Sequence, residues 1–243
     1  MSESFAITTE KRQVFYPESD GKPMAETEVH IDAVIYVREA LKDYFRNAPD
    51  IYVNSNMLLY YEEGNPTACV APDVFIVKGV TKQERHIYKL WEEMQPPTVV
   101  FEITSRGTRL EDLGTKRALY EMLGVQEYFL YDPLGEYLRP ALQGYVRHAE
   151  DFQRGVSNSE DRFVSEALGV ELQLEHGRLR LMDPLTKEWL LSPAEAQDAR
   201  RAAEVRVTRA EDARRAAESR ATEAEKELAH LRAELLCLRS GTS

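Results

Sequence analysis

Hydrophobic positions in this chain follow two patterns. As far as residue 193 they come in short runs, separated by polar stretches bearing Gly, Pro, Asn and Asp. Beyond it they are sparse, mostly alanine, and evenly spaced. The most informative succession occupies 97–133. The run 98–104, TVVFEIT, follows Pro96-Pro97 and predicts a strand, being rich in β-branched and aromatic residues. Leu113, Lys116, Arg117, Tyr120 and Leu123 then fall at helical spacing, and Gly124 stands where a helix-ending glycine belongs. A second apolar run, 125–131, stops at Asp132-Pro133. Strand, crossover helix and strand make the βαβ unit of an α/β domain, with the two strands parallel.

The flanking patterns extend this body. Residues 28–45 predict a helix whose apolar stripe is Ile31, Val34, Ile35, Leu41 and Phe45. Residues 51–53, 57–61 and 71–78 predict strands, and 81–93 a helix or an ordered loop. After Pro133 come short strand candidates at 137–138, 143–148 and 162–164. A hairpin is expected from 168–174 and 179–182, around 175–178. Residues 1–27 are polar, with a turn signal at 19–23, and predict an arm or a short hairpin.

The tail is a different object. AQDARRAAE at 196–204 returns as AEDARRAAE at 210–218, a repeat of fourteen residues, or two heptads. Stepping back from Leu238 by threes and fours gives Leu235, Leu231, Leu228, Ala224, Ala221, Ala217, Arg214, Ala210, Val207 and Ala203. That seam predicts a C-terminal coiled-coil helix over 194–240, ~70 Å long, pairing copies of the chain into a homo-oligomer, a dimer in the simplest case. The arginines on the seam, Arg200 and Arg214, weaken it. The plainer alternative is one solvated helix held by charge pairs four residues apart.

Composition narrows the setting. No apolar run approaches the ~20 residues of a membrane span, and the N-terminus lacks a secretory pattern, so the expectation is a cytoplasmic protein without a membrane partner. Cys69 and Cys237 make neither a disulfide framework nor a zinc site. Net charge is −11. The tail from Ala194 holds ten acidic and ten basic residues, so the whole excess lies in the body, with 32 acids against 21 bases. A broad basic face for long nucleic acid is not expected. Acidic charge suits a site that gathers divalent cations, and suits an ordinary surface equally.

Two acids interrupt apolar strands. Glu102 sits within VVFEI, and Asp73 follows Pro72 at the mouth of VFIVK. A carboxylate inside a strand buried on both faces must be paired, protonated or bound to a cation. Glu102 is therefore either a structural ion-pair member or a strand-end residue facing water, or else a metal ligand, and with Asp73 and a lysine in reach it would form a hydrolytic metal site. Two neighbouring carboxylates repel unless a cation bridges them. Mg²⁺, a hard ion that keeps several waters, suits such a pair. Lys116 on the crossover helix is either a solvated residue or a partner to that site. His30, at a helix start, is expected at the surface or in a capping role.

Four ordered blocks carry a resemblance: PDVFIV at 72–77, PPTVVFEITS at 96–105, DLGTKRALY at 112–120 and GVQEYFLYDP at 124–133. Together they resemble the Uma-two family, restriction-endonuclease-like proteins of the PD-(D/E)xK nuclease superfamily, over roughly residues 15–191. The resemblance implies a restriction-endonuclease-like mixed β-sheet core flanked by helices, as a nuclease-like domain over 1–193. It implies a Mg²⁺-dependent endonuclease acting on DNA, with Mn²⁺ as a substitute ion. Asp73 and Glu102 match the metal-binding acids, and the carbonyl of Ile103 would complete the protein ligands. The superfamily's usual lysine position, two residues after the second acid, is Thr104 here, and the family's pattern moves that lysine to Lys116. Arg109, Asp112 and Tyr120 match block positions without a role that spacing supplies. The competing expectation is a catalytically silent nuclease-fold scaffold that oligomerises through its tail.

Overall fold

Strands β6 (Val99–Ile103) and β7 (Glu127–Tyr131) pair in parallel, and the rest of the body is arranged around them. The computed structural model describes residues 14–19, 21, 27–155 and 162–240. Before β6 come α1 (Glu28–Tyr44), β1 (Ile51–Asn54), β2 (Leu59–Tyr60), β3 (Cys69–Val70), β4 (Val74–Lys78), β5 (Tyr88–Lys89) and α2 (Leu90–Glu93). Between β6 and β7 the crossover is a π-helical stretch, Glu111–Lys116, running into α3 (Arg117–Leu123). Then follow β8 (Leu142–His148), β9 (Asp151–Arg154), β10 (Arg162–Ser165), β11 (Val170–Glu175), β12 (Arg178–Met182) and α4 (Pro193–Ser240).

The main sheet has the order β1-β4-β6-β7-β8-β9 and is mixed, because β6 and β7 are parallel and every other neighbouring pair is antiparallel. Its central strands are apolar runs because both faces are covered. On one face Val99, Phe101 and Ile103 meet Val34, Val37 and Leu41 of α1, and Leu172 and Leu181 of the β10-β11-β12 sheet. On the other, Val100, Phe75, Tyr128 and Leu130 pack with Tyr120 of α3, Leu59 and Tyr88. Gly124 ends α3 with φ +86°, a left-handed conformation that glycine adopts without strain. At Gly144 in β8 the reason is proximity: a Cβ there would lie 3.0 Å from the rings of Phe129 and Phe163.

Some expectations shift. Helix α1 is present, capped by the Thr27 side chain, but its buried stripe is His30, Val34, Val37, Ala40 and Leu41. Ile31 and Ile35 are 44% and 45% exposed. The 81–93 segment holds the short β5 and α2 rather than one long helix. Residues 137–138 form no strand. Their amides, with those of Leu134 and Gly135, donate instead to the buried carboxylate of Asp132, which ties the turn. The 168–182 hairpin forms with Glu175 opposite Arg178. Of the expected N-terminal arm, residues 1–13, 20 and 22–26 lie outside the described residues.

The chain divides into two compact units, Met1–Ser192 and Pro193–Ser243. In the second, α4 is one continuous helix of 48 residues. Arg200 donates to Glu204 at 3.0 Å and Arg214 to Glu218 at 2.8 Å, the same pair one repeat apart. Leu228, Leu231 and Leu235 are about half exposed or more along it.

Candidate active site

Glu102 is the fourth residue of β6, and strand alternation sends its side chain to the same face as Val100, beneath Tyr120 and Tyr128. It is fully buried. Its Oε2 accepts a hydrogen bond from Lys116 Nζ at 2.8 Å, and its Oε1 accepts one from the Tyr120 hydroxyl at 2.7 Å. Burial raises its carboxyl to about 8; the Lys116 ammonium opposes that rise, and the charges of Asp73 and Asp112 add to it.

The crossover helix supplies the other half. Asp112, Lys116 and Tyr120 are spaced by four, so one helix face carries all three toward β6. The π-helical widening lies under Asp112 and Lys116, and such bulges occur often at functional sites. Lys116 Nζ also lies 3.4 Å from Asp112 Oδ1. Burial pulls the ammonium down, but Glu102, Asp112 and Asp73 outweigh it and hold Lys116 above the ordinary lysine range. Asp112 is buried, and neither of its carboxylate oxygens has a hydrogen-bond partner among the described residues. Burial raises its pKa, with Lys116 pulling the other way. Tyr120 stays protonated, raised first by burial and then by Glu102, so it remains a donor.

Asp73 directly precedes β4. The β4–β6 register pairs Val74 with Phe101, and one step further sets Asp73 across from Glu102. Its Oδ2 accepts the Ile103 amide at 2.6 Å, which ties the first acid to the backbone beside the second. His30 Nε2 lies 3.4 Å from the same oxygen. Thus the fold brings Asp73, Glu102, Ile103 and Lys116 together, and adds Asp112 and Tyr120. Thr104, in the usual lysine position, is buried with its amide donating to the Tyr131 carbonyl. Arg109 is exposed at the start of the crossover helix and joins none of this.

His30 is the residue that sequence reasoning misplaced. It is 5% exposed, at the head of the 30-34-37-41 stripe. The available signal was phase: a histidine in step with the buried face of an amphipathic helix.

The donor set suits a hard cation. Glu102, Asp73 and Asp112 face a single lysine, so three carboxyl groups share one ammonium. Among the described residues no group of three or more His, Cys, Asp and Glu forms a cage for a metal ion. Two acids and a backbone carbonyl are what a Mg²⁺ ion that retains its waters asks of a protein. Each carboxylate oxygen of Glu102 keeps a further lone pair beyond its present hydrogen bond.

A mixed sheet with one acid on central strand β6, a second directly before its neighbour β4, and a helix-borne lysine beside them makes an α/β protein with a buried acid–lysine site and a long C-terminal helix. Residues 3–187 match the family Uma2, described as "Putative restriction endonuclease". The chain belongs to that family. Among solved structures it is similar to "a putative nuclease belonging to DUF820" from Anabaena variabilis ATCC 29413, at 14% identity and a TM-score of 0.44. The match covers 59% of this chain and 74% of that one. No curated protein matches the chain. Among the described residues no helix is long and apolar enough to cross a membrane.

Proposed function

We propose that the protein is a divalent-metal-dependent endonuclease that hydrolyses phosphodiester bonds in DNA. The observation that carries this reading is the Lys116 ammonium, 2.8 Å from the carboxylate of a fully buried Glu102 that stands across from Asp73. The family's description supports it. Asp73, Glu102 and the Ile103 carbonyl would hold Mg²⁺, or Mn²⁺ in its place. The ion, when bound, supplies charge stabilisation at the phosphate and makes the attacking water more acidic. Lys116 orients that water and offsets negative charge as it develops on the phosphate oxygens. Tyr120 keeps Glu102 in one orientation through its second oxygen, and His30 faces the Asp73 oxygen that the Ile103 amide holds. The first unit is the catalytic domain of this reading, the second a self-association helix, and the setting the cytoplasm.

The test is metal-dependent nicking of supercoiled plasmid and cleavage of single-stranded DNA. Wild type is expected to cut, and Lys116→Ala to bind Mg²⁺ normally but lose about 100-fold or more in rate. Asp73→Ala and Glu102→Ala are expected to lose metal binding by calorimetry. Wild-type affinity in Glu102→Ala would overturn the site. The second reading is a silent scaffold that oligomerises through its tail. The exposed Leu228, Leu231 and Leu235 would be its association surface. Absence of cleavage by wild type on either substrate, with Mg²⁺ or Mn²⁺, would move the conclusion there.

A further inference from the structure

The body carries 32 acids against 21 bases, yet one concave region of it is basic. A cavity of about 530 Å³ lies between α1 and β1, the edge strand of the main sheet. Arg38 and Lys42 of α1 line it, with Tyr52 and Asn54 of β1, and Lys82 and Arg85 from the segment before β5. The one acid among its lining residues is Glu84.

These cations are not equally committed. Arg85 is neutralised: Nε and Nη2 donate to the two Glu93 oxygens at 2.6 and 2.9 Å, and its guanidinium stacks 4.5 Å over the Tyr52 ring. It builds a wall. Lys82 donates to the carbonyls of Phe45 and Arg46, and its charge has no carboxylate partner among the described residues. Arg38 pairs with Glu39, but its buried Nε has no hydrogen-bond partner among the described residues. Lys42 is exposed and has no ion-pair partner among them. With Lys42 and Lys82 set against Glu84, the recess keeps a small positive excess, which attracts anions.

The cavity shares two elements with the surroundings of Asp73. Asn54, at one end of it, pairs with Phe75, two residues from Asp73. On α1, His30 touches Asp73, and Arg38 and Lys42 lie eight and twelve residues further on. At ~1.5 Å per residue that is ~12 and ~18 Å along the helix. We infer that this cavity binds backbone phosphates of the nucleic-acid strand under cleavage, Lys42 and Lys82 gripping it at a distance from the scissile bond. The inference rests on the endonuclease reading and adds where the strand lies. Such contacts position a strand without reading its sequence.

The test uses the full chain with a double substitution, Lys42→Gln with Lys82→Gln, and Lys226→Gln in the tail as a control of equal type. Binding of a fluorescent single-stranded oligonucleotide is followed by anisotropy, with Ca²⁺ in place of Mg²⁺, across salt concentrations. The double variant is expected to bind at least tenfold more weakly. Its slope of log affinity against log salt should fall by about 1.5. Its metal-dependent thermal shift, and the affinity of the Lys226→Gln control, should stay unchanged. Unchanged binding by the double variant, equal loss in the control, or no oligonucleotide binding by wild type would overturn the inference. Inorganic pyrophosphate competing as well as the oligonucleotide would also overturn it, in favour of a small-anion site. Groove-dependent binding without cleavage by wild type would sink the endonuclease reading alone and leave the phosphate site standing.

Discussion

At the scale of single residues, the site is governed by a carboxyl that burial keeps from ionising freely. The raised value of about 8 at Glu102, against 4.5 in an open chain, sets a sign. Between those two pH values the native state holds a proton that the unfolded chain has lost. Stability of the metal-free protein therefore falls as pH rises from about 4.5 to about 8. Thermal melts over that range are expected to show the decline, and Glu102→Gln to flatten it. A metal ion must displace the same proton, so Mg²⁺ affinity should climb through this window and level off above it, with proton release measurable by calorimetry in buffers of different ionisation enthalpy. His30 makes a separate prediction. Because it touches Asp73 rather than the reacting centre, His30→Ala should weaken metal affinity about 10- to 100-fold. Rate at saturating metal should largely recover, a split that a residue acting on the phosphate would not give.

At the scale of elements, close packing replaces charge as the deciding effect. A methyl group on Gly144 would press on the rings of Phe129 and Phe163, which belong to two different sheets and cannot both retreat. Gly144→Ala is expected to cost about 1–3 kcal/mol in urea unfolding. The central strands were legible in the sequence because burial on both faces leaves an uninterrupted apolar run, and an acid inside such a run is conspicuous. That is why Glu102 could be singled out from residue pattern, and Asp73 from its place at the mouth of such a run. Strand β9 was not legible, since Asp151–Arg154 is largely exposed and carries no alternation, and β3 and β5 are two residues each. The phase of α1 was misread because Ile31 and Ile35 outweigh Ala40 and His30 on any hydrophobic scale. The π-helical widening depends on which carbonyl each amide chooses, a property residue types do not encode. The positions of Lys116, Tyr120 and His30 on the acids follow from tertiary approach. For Lys116 the family resemblance supplied what spacing could not.

At the scale of the whole molecule, all excess negative charge sits in the body and none in the tail. Removing 193–243 should therefore leave body charge, melting temperature and metal response intact while lowering the oligomeric state. Light scattering that returned the same number of subunits for the truncated chain would contradict self-association through α4. The helix has a further property. Its charge pairs recur at a period of fourteen residues, Arg200–Glu204 and Arg214–Glu218. If two copies align along it, a slip of ~21 Å sets the same ionic pattern against itself. Between 196 and 218 the helix is thus a ruler with repeated graduations, unable to tell one alignment from the next. Only the run of Leu228, Leu231 and Leu235, which has no counterpart one period earlier, marks the zero.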